Sequence, residues 1–136
     1  QGRDRTQEAA RGLRALELKP DALLTSPYLR ARQTAEIVAK ALDMPVDTFH
    51  VTDALLPWAR PEELFRELRR LDAGCVACFG HAPNVDGLIA YALGLDHAAT
   101  SLKKAGAALL TLETLSPPWG ALEWLMPARA LRRLGS

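Results

Sequence analysis

The sequence has almost no excess charge, few aromatic side chains and no long apolar run, and each shortage excludes something. Lysine and arginine total 17 against 16 acidic residues, a formal charge of +1. Such a balance gives no special attraction to nucleic acid or to a membrane surface, so neither is an expected partner. No apolar stretch approaches the roughly 20 residues that a bilayer span needs, and nothing reads as a signal peptide. A cytoplasmic protein is therefore expected. Aromatics make up only 6% of the 136 residues, so the core must be built from Leu, Ala and Val. Internal repeats, low-complexity tracts and linkers are missing too, and the length suits one domain, 1–136. The sequence does not begin with methionine and enters a helical pattern at once, so it reads as a fragment.

Cysteine is scarce as well. Cys75 and Cys78 form the single C-x-x-C, and no second pair exists to complete a zinc site. Both fall in CVACF, an apolar run that reads as a strand, where residues three apart point to opposite faces. A redox C-x-x-C also needs a helix N-terminus to lower a thiol pKa, and none is available at Cys75. Two buried, unbonded, inert thiols are expected.

What is present is an alternation of elements. Ala9, Ala10, Leu13 and Leu16 recur at helical spacing over 3–16, and Lys19-Pro20 ends that helix. ALLT (22–25) reads as a short strand. Ser26-Pro27 supplies an N-cap and a proline at the first helical position, opening a helix to about Leu42. VDTFHV (46–51) alternates weakly as a strand. Pro61 starts a helix whose stripe is Leu64, Phe65, Leu68 and Leu71. CVACF (75–79) is a strand, and Pro83 or Asn84 opens a helix to about Leu93. Two last strands, 106–113 and 121–127, are joined by a turn over 116–120. Strands alternating with helices predict an α/β sandwich around a mostly parallel sheet.

In such sheets ligands bind beyond the carboxyl ends of the strands, beside helix N-termini. Two junctions carry suitable groups. In ALLT-SP-YLR, Arg30 lies on the opening turn of a helix; in CVACF-GHAPN, His81 lies in the turn itself. Gly80 permits a tight turn there, and the new helix offers free backbone N–H groups to an anion. A guanidinium adds a planar fork matched to phosphate oxygens. Spacing alone leaves the alternatives open, since a first-turn arginine is often a solvated surface residue and a turn histidine is often structural. His50, in a weak strand, and His97, in the polar stretch DHAATS, are read as non-catalytic. Arg32 belongs on another face of the helix from Arg30 and is expected to be exposed.

The words around these residues decide further. SPYLRARQTAEIVAKAL resembles the SP-x-x-R-A-x-QTA segment of the histidine phosphatase superfamily, the phosphoglycerate mutase-like fold, and GHAPNVDGLI resembles its second-histidine segment. LKKAGAALLTLE and GALEWLMPARAL resemble the C-terminal part of its small SixA-type phosphohistidine phosphatases. The resemblance spans essentially the whole chain. It implies a three-layer sandwich with a mostly parallel central sheet flanked by helices. By the same resemblance Arg30 is the motif arginine and His81 the second catalytic histidine, with Ala82 beside it in the substrate-binding turn.

The family's nucleophile is another histidine, in an Arg-His-Gly motif ending the first strand, and no such motif occurs in this sequence. The opening QGRDRTQEAARGL resembles the family's segment after that motif. The expectation is therefore a domain truncated at its N-terminus, with its first strand missing and the chain by itself inactive and poorly stable. In the intact protein the resemblance implies attack of the absent histidine on phosphorus, a phosphohistidine enzyme intermediate, and its hydrolysis by water. Arg30 would bind phosphoryl oxygens and His81 would stabilise developing charge. No metal or other cofactor is implied.

The general acid separates family members. Mutases and broad monoesterases place a carboxylic acid after the third strand to protonate an alkoxide. Here that region reads DALLPWARPEELF, where Glu62 and Glu63 suit the first turn of a helix and Asp53 comes too early. A missing acid suits a leaving group that is already good, such as the imidazole of phosphohistidine. The expected partner is then a phosphorylated protein, such as a histidine phosphotransfer domain. Two alternatives stand beside it: a small-molecule phosphomonoesterase of the same fold, and a non-catalytic phosphate-binding or interaction module.

Overall fold

ALLT forms the middle of a three-stranded parallel sheet, and this one strand organises the rest. The computed structural model describes residues 2–136. The strand, β1 (Ala22–Thr25), lies between β2 (Phe49–Val51) and β3 (Val76–Phe79). All four of its residues are buried. A strand covered on both faces needs such a continuous apolar run, and a parallel sheet flanked by helices supplies the cover.

One face of β1 presents Leu24 to a cluster of Ala54, Leu55, Leu64 and Leu88, with Leu68, Leu71 and Val76 packed around it. Val76 lies on β3, and the others come from α3 (Pro61–Leu71), α4 (Asn84–Ala92) and a short 3-10 turn at Asp53–Leu55. The opposite face presents Leu23, which is wholly buried, on the side of α1 (Gly2–Ala15) and α2 (Leu29–Ala41). Burying one such leucine contributes about 1.5–3 kcal/mol.

Helix α3 starts as its sequence dictates. Pro61 occupies the first turn, Glu62 and Glu63 complement the positive end of the dipole, and Arg69 and Arg70 the negative end. Glu63 also accepts the Arg60 backbone N–H through Oε2 at 2.8 Å. Phe65 packs edge-on against Tyr91 of α4, with ring centroids 5.0 Å apart.

Several boundaries differ from expectation. Helix α2 begins at Leu29 with Tyr28 at its N-cap, because the Ser26 hydroxyl accepts the Tyr28 N–H and closes a turn before the helix. The 46–51 segment spends its first half as a 3-10 turn, leaving a strand of three residues. The last two strands are longer than their alternation indicates: β4 (Ala107–Leu115) and β5 (Pro118–Met126) form an antiparallel hairpin closed by Ser116 and Pro117 alone. A terminal helix, α5 (Ala128–Leu134), has no counterpart in the sequence reading. It packs on α1, where Gly12 is needed: a Cβ there would run into the Leu131 carbonyl.

The strands make two sheets. Among the described residues β3 pairs only with β1, and β4 only with β5. The apolar strands beside these unpaired edges are only partly covered, in contrast to β1. This corrects the expectation for the cysteines. Both thiols are free, but Cys75 is half-buried just ahead of β3 and Cys78, on β3 itself, is exposed. An edge strand lacks the neighbour that would cover it.

Candidate active site

The parallel register brings the two junctions together. Thr25 lies opposite Phe79, so β1 and β3 end side by side, and the Ser26 N–H donates to the Phe79 carbonyl at 3.0 Å. The chain beyond each strand therefore emerges at the same place. There Ser26 Oγ and His81 Nε2 meet at 2.7 Å.

Ser26 is fixed from several sides. It is fully buried, its carbonyl accepts the Thr25 hydroxyl at 3.0 Å, and its Oγ accepts the Tyr28 N–H at 3.2 Å. With that N–H already accepted, the serine proton is free to be donated to the neutral imidazole. Complete burial makes Ser26 a positioning group rather than a nucleophile. His81 is also held through its backbone, where its carbonyl accepts the Val85 N–H at 2.9 Å as α4 begins. Its side chain is half-buried, and desolvation lowers its pKa from the ordinary 6.5. Desolvation therefore favours the neutral ring.

Tyr28 completes the local group. Its ring lies 5.0 Å from the His81 imidazole, centroid to centroid, and 6.2 Å from Trp58 in an edge-on arrangement. Sequence reasoning passed over Ser26 and Tyr28 as contacts of His81. The signal was present, since both belong to the SPYLR junction adjoining the histidine turn in a parallel sheet.

The other named residues fall as follows. Arg30 is on the first turn of α2, two residues after Tyr28, and is exposed. Among the described residues no ion pair engages it. Ala82 is exposed in the turn between His81 and α4. His50 is exposed on β2, His97 is exposed in the segment after α4, and Arg32 is exposed on α2. Glu63 is engaged at the start of α3, as its first-turn position requires. Buried Asp86 accepts the Thr100 hydroxyl at 2.7 Å and the Leu102 N–H at 2.9 Å, tying the segment after α4 back to that helix. Two surface depressions open along β2 and α3, with Val51, Glu67 and Arg70 in both, and neither includes Arg30 or His81. Among the described residues no three His, Cys, Asp or Glu side chains gather as a metal site.

What the arrangement offers is a neutral imidazole, fixed by a buried hydroxyl, at the carboxyl edge of a parallel sheet beside a helix that carries an unpaired arginine. That combination suits an oxyanion.

The chain is similar to known proteins in sequence and in fold. Residues 1–51 match the model of the histidine phosphatase superfamily, branch 1. An uncharacterized protein of Picosynechococcus sp. is 38% identical over 109 residues, covering 77% of this chain; the chain spans 65% of that relative's length. Among solved structures, the protein histidine phosphatase SixA complexed with tungstate superimposes with a TM-score of 0.84 at 26% identity, over 96% of this chain and 83% of that one. A SixA structure from Agrobacterium tumefaciens gives 0.69 at 23% identity, over 89% of this chain and 77% of that one. A mycobacterial glucosyl-3-phosphoglycerate phosphatase gives 0.68 at 14%, over 90% and 84%. The last two share the fold.

Proposed function

We propose that this chain, a member of the histidine phosphatase superfamily by its sequence match and its fold, carries the phosphate-binding half of an enzyme that hydrolyses phosphohistidine on proteins. The observation that carries the reading is the 2.7 Å contact between Ser26 and His81 where β1 and β3 end, on the same junction as Arg30. The likeness to a phosphatase complexed with tungstate, a tetrahedral oxyanion like phosphate, supports it.

In this reading Arg30 binds two phosphoryl oxygens through its planar fork, and the Ala82 backbone and His81 complete the cradle. The nucleophile is a histidine of an Arg-His-Gly strand outside these 136 residues. Its ring nitrogen attacks phosphorus as the P–N bond of the substrate's phosphoimidazolium breaks, and the substrate leaves as neutral imidazole, keeping the proton that its distal nitrogen already carried. Water then attacks the enzyme phosphohistidine, releasing inorganic phosphate and restoring the ring. His81, neutral before substrate arrives, gains positive character as negative charge builds beside it. In this reading none of His50, His81 and His97 takes the nucleophilic role, since none lies in an Arg-His-Gly sequence. The free edges of β3 and β4 offer an added strand backbone partners.

Engagement of Glu63 at the α3 N-terminus favours a leaving group that needs no strong acid. A histidine phosphotransfer domain is the matching partner. The test compares hydrolysis of a phosphohistidine-bearing protein and a sugar phosphate by the protein including its Arg-His-Gly strand. Preference for the protein substrate by 10-fold or more in kcat/KM supports the reading; preference for the sugar phosphate makes this a monoesterase, and no turnover of either overturns enzymatic function.

A further inference from the structure

Trp58 is the most exposed large apolar side chain in the described structure, at 70%, in a chain with only three tryptophans. The exposure is built rather than slack. Its turn is anchored on both sides, with Leu55 and Ala59 buried. The Leu56 carbonyl accepts the Ala59 N–H at 3.0 Å, and it also accepts Asn84 Nδ2 at 3.2 Å. Asn84 is the first residue of α4, three beyond His81, so this bond ties the Trp58 turn to the histidine turn.

Tyr28 bridges the space between them, with centroids 5.0 Å from His81 and 6.2 Å from Trp58. The result is a row of three rings, imidazole to phenol to indole, in which the phenol of Tyr28 and the indole of Trp58 are 43% and 70% exposed. Aromatic pairs at such separations contribute beyond simple area burial, and they favour tilted or edge-on partners. The two neighbouring rings present flat apolar surface to solvent.

We infer that Tyr28 and Trp58 form a ledge that receives the planar ring of the substrate's leaving group while the phosphoryl group rests on His81 and Arg30. The inference depends on the phosphate-site reading above and specifies its ligand: a phosphoryl group attached to a flat, unsaturated ring. A sugar alcohol presents no face to such a ledge.

The experiment measures, by calorimetry, binding of two phosphonates to the protein including its Arg-His-Gly strand. One is methylphosphonate; the other is a phosphonotriazole, a hydrolysis-resistant flat mimic of phosphoimidazole. The phosphonotriazole binds the natural sequence about 3- to 10-fold more tightly, the range one aromatic contact supplies. In Trp58→Ala that ratio falls toward one, and in Trp58→Phe most of it is kept. An unchanged ratio in Trp58→Ala, or equal affinity for both ligands in the natural sequence, overturns the ledge alone. Failure of methylphosphonate to bind, or its binding unaltered in His81→Ala, overturns the phosphate site and the ledge with it. Trp58 is exposed enough that its truncation leaves the unfolding midpoint nearly unmoved, which a melt confirms.

Discussion

Ser26 and His81 stand 55 positions apart in the sequence, yet their side chains meet at 2.7 Å, because β1 and β3 run parallel and end in register. The contact ties the ends of the two strands together through their side chains. The hydroxyl is wholly buried and the imidazole half-open, so one partner holds and the other is free to act.

Ser26→Ala removes that hold. The Tyr28 N–H loses its acceptor and the imidazole its partner, so unfolding stability falls by about 1–3 kcal/mol. The His81 ring then samples other rotamers, and tungstate affinity drops about 5-fold or more. Urea unfolding and calorimetric titration read the two effects separately. A stable variant with undiminished affinity would show that the pair does not position the ring.

Acid weakens the fold through His81. Desolvation places its folded pKa below the unfolded 6.5, so the unfolded chain takes up the proton first. The stability contributed is full above pH 6.5 and is lost as pH falls through the folded pKa. His81→Asn removes this component of the acid slope, which urea midpoints across pH 4–8 measure. Bound oxyanion acts in the opposite direction, favouring the imidazolium and raising the His81 midpoint in a proton NMR titration.

The core elements were legible because each rests on local chemistry. ALLT is three apolar residues closed by a buried threonine, PEELFRELRRL carries its proline start and its stripe, and both are found where the sequence places them. What escaped depends on partners distant in sequence. The α2 start shifts by the Ser26–Tyr28 bond, and Ser26 is itself engaged by His81 from another strand. Helix α5 is seven residues long and gains its place from α1, which no local pattern announces. Cys78 is apolar in context but exposed, because exposure depends on whether β3 has an outer neighbour. His81 and Arg30 were singled out by their junctions together with the motif words around them, whereas Trp58 lay in a turn with no periodic signal.

Gly12→Ala tests the α1–α5 contact. The added methyl meets the Leu131 carbonyl, a backbone atom with little freedom to yield. Stability should fall by about 1–3 kcal/mol, the usual range for overpacking, with α5 protection lost first in hydrogen exchange. Equal midpoints for the two proteins would mean that α5 is not fixed on α1.

Asp86→Ala leaves the Thr100 hydroxyl and the Leu102 N–H without their shared acceptor. A loss of about 1–3 kcal/mol follows, together with faster proteolysis within 96–104. If cleavage there is unchanged, the segment is secured by other contacts.

The central claim is that Arg30 and His81 serve one oxyanion, and calorimetric titration of the protein including its Arg-His-Gly strand with tungstate tests it most directly. The account predicts a single site, weakened at least 10-fold by Arg30→Ala and at least 10-fold by His81→Ala, as loss of a hydrogen bond to a charged group worth about 1.5–3 kcal/mol requires. Tungstate affinity unaltered by either substitution would contradict it.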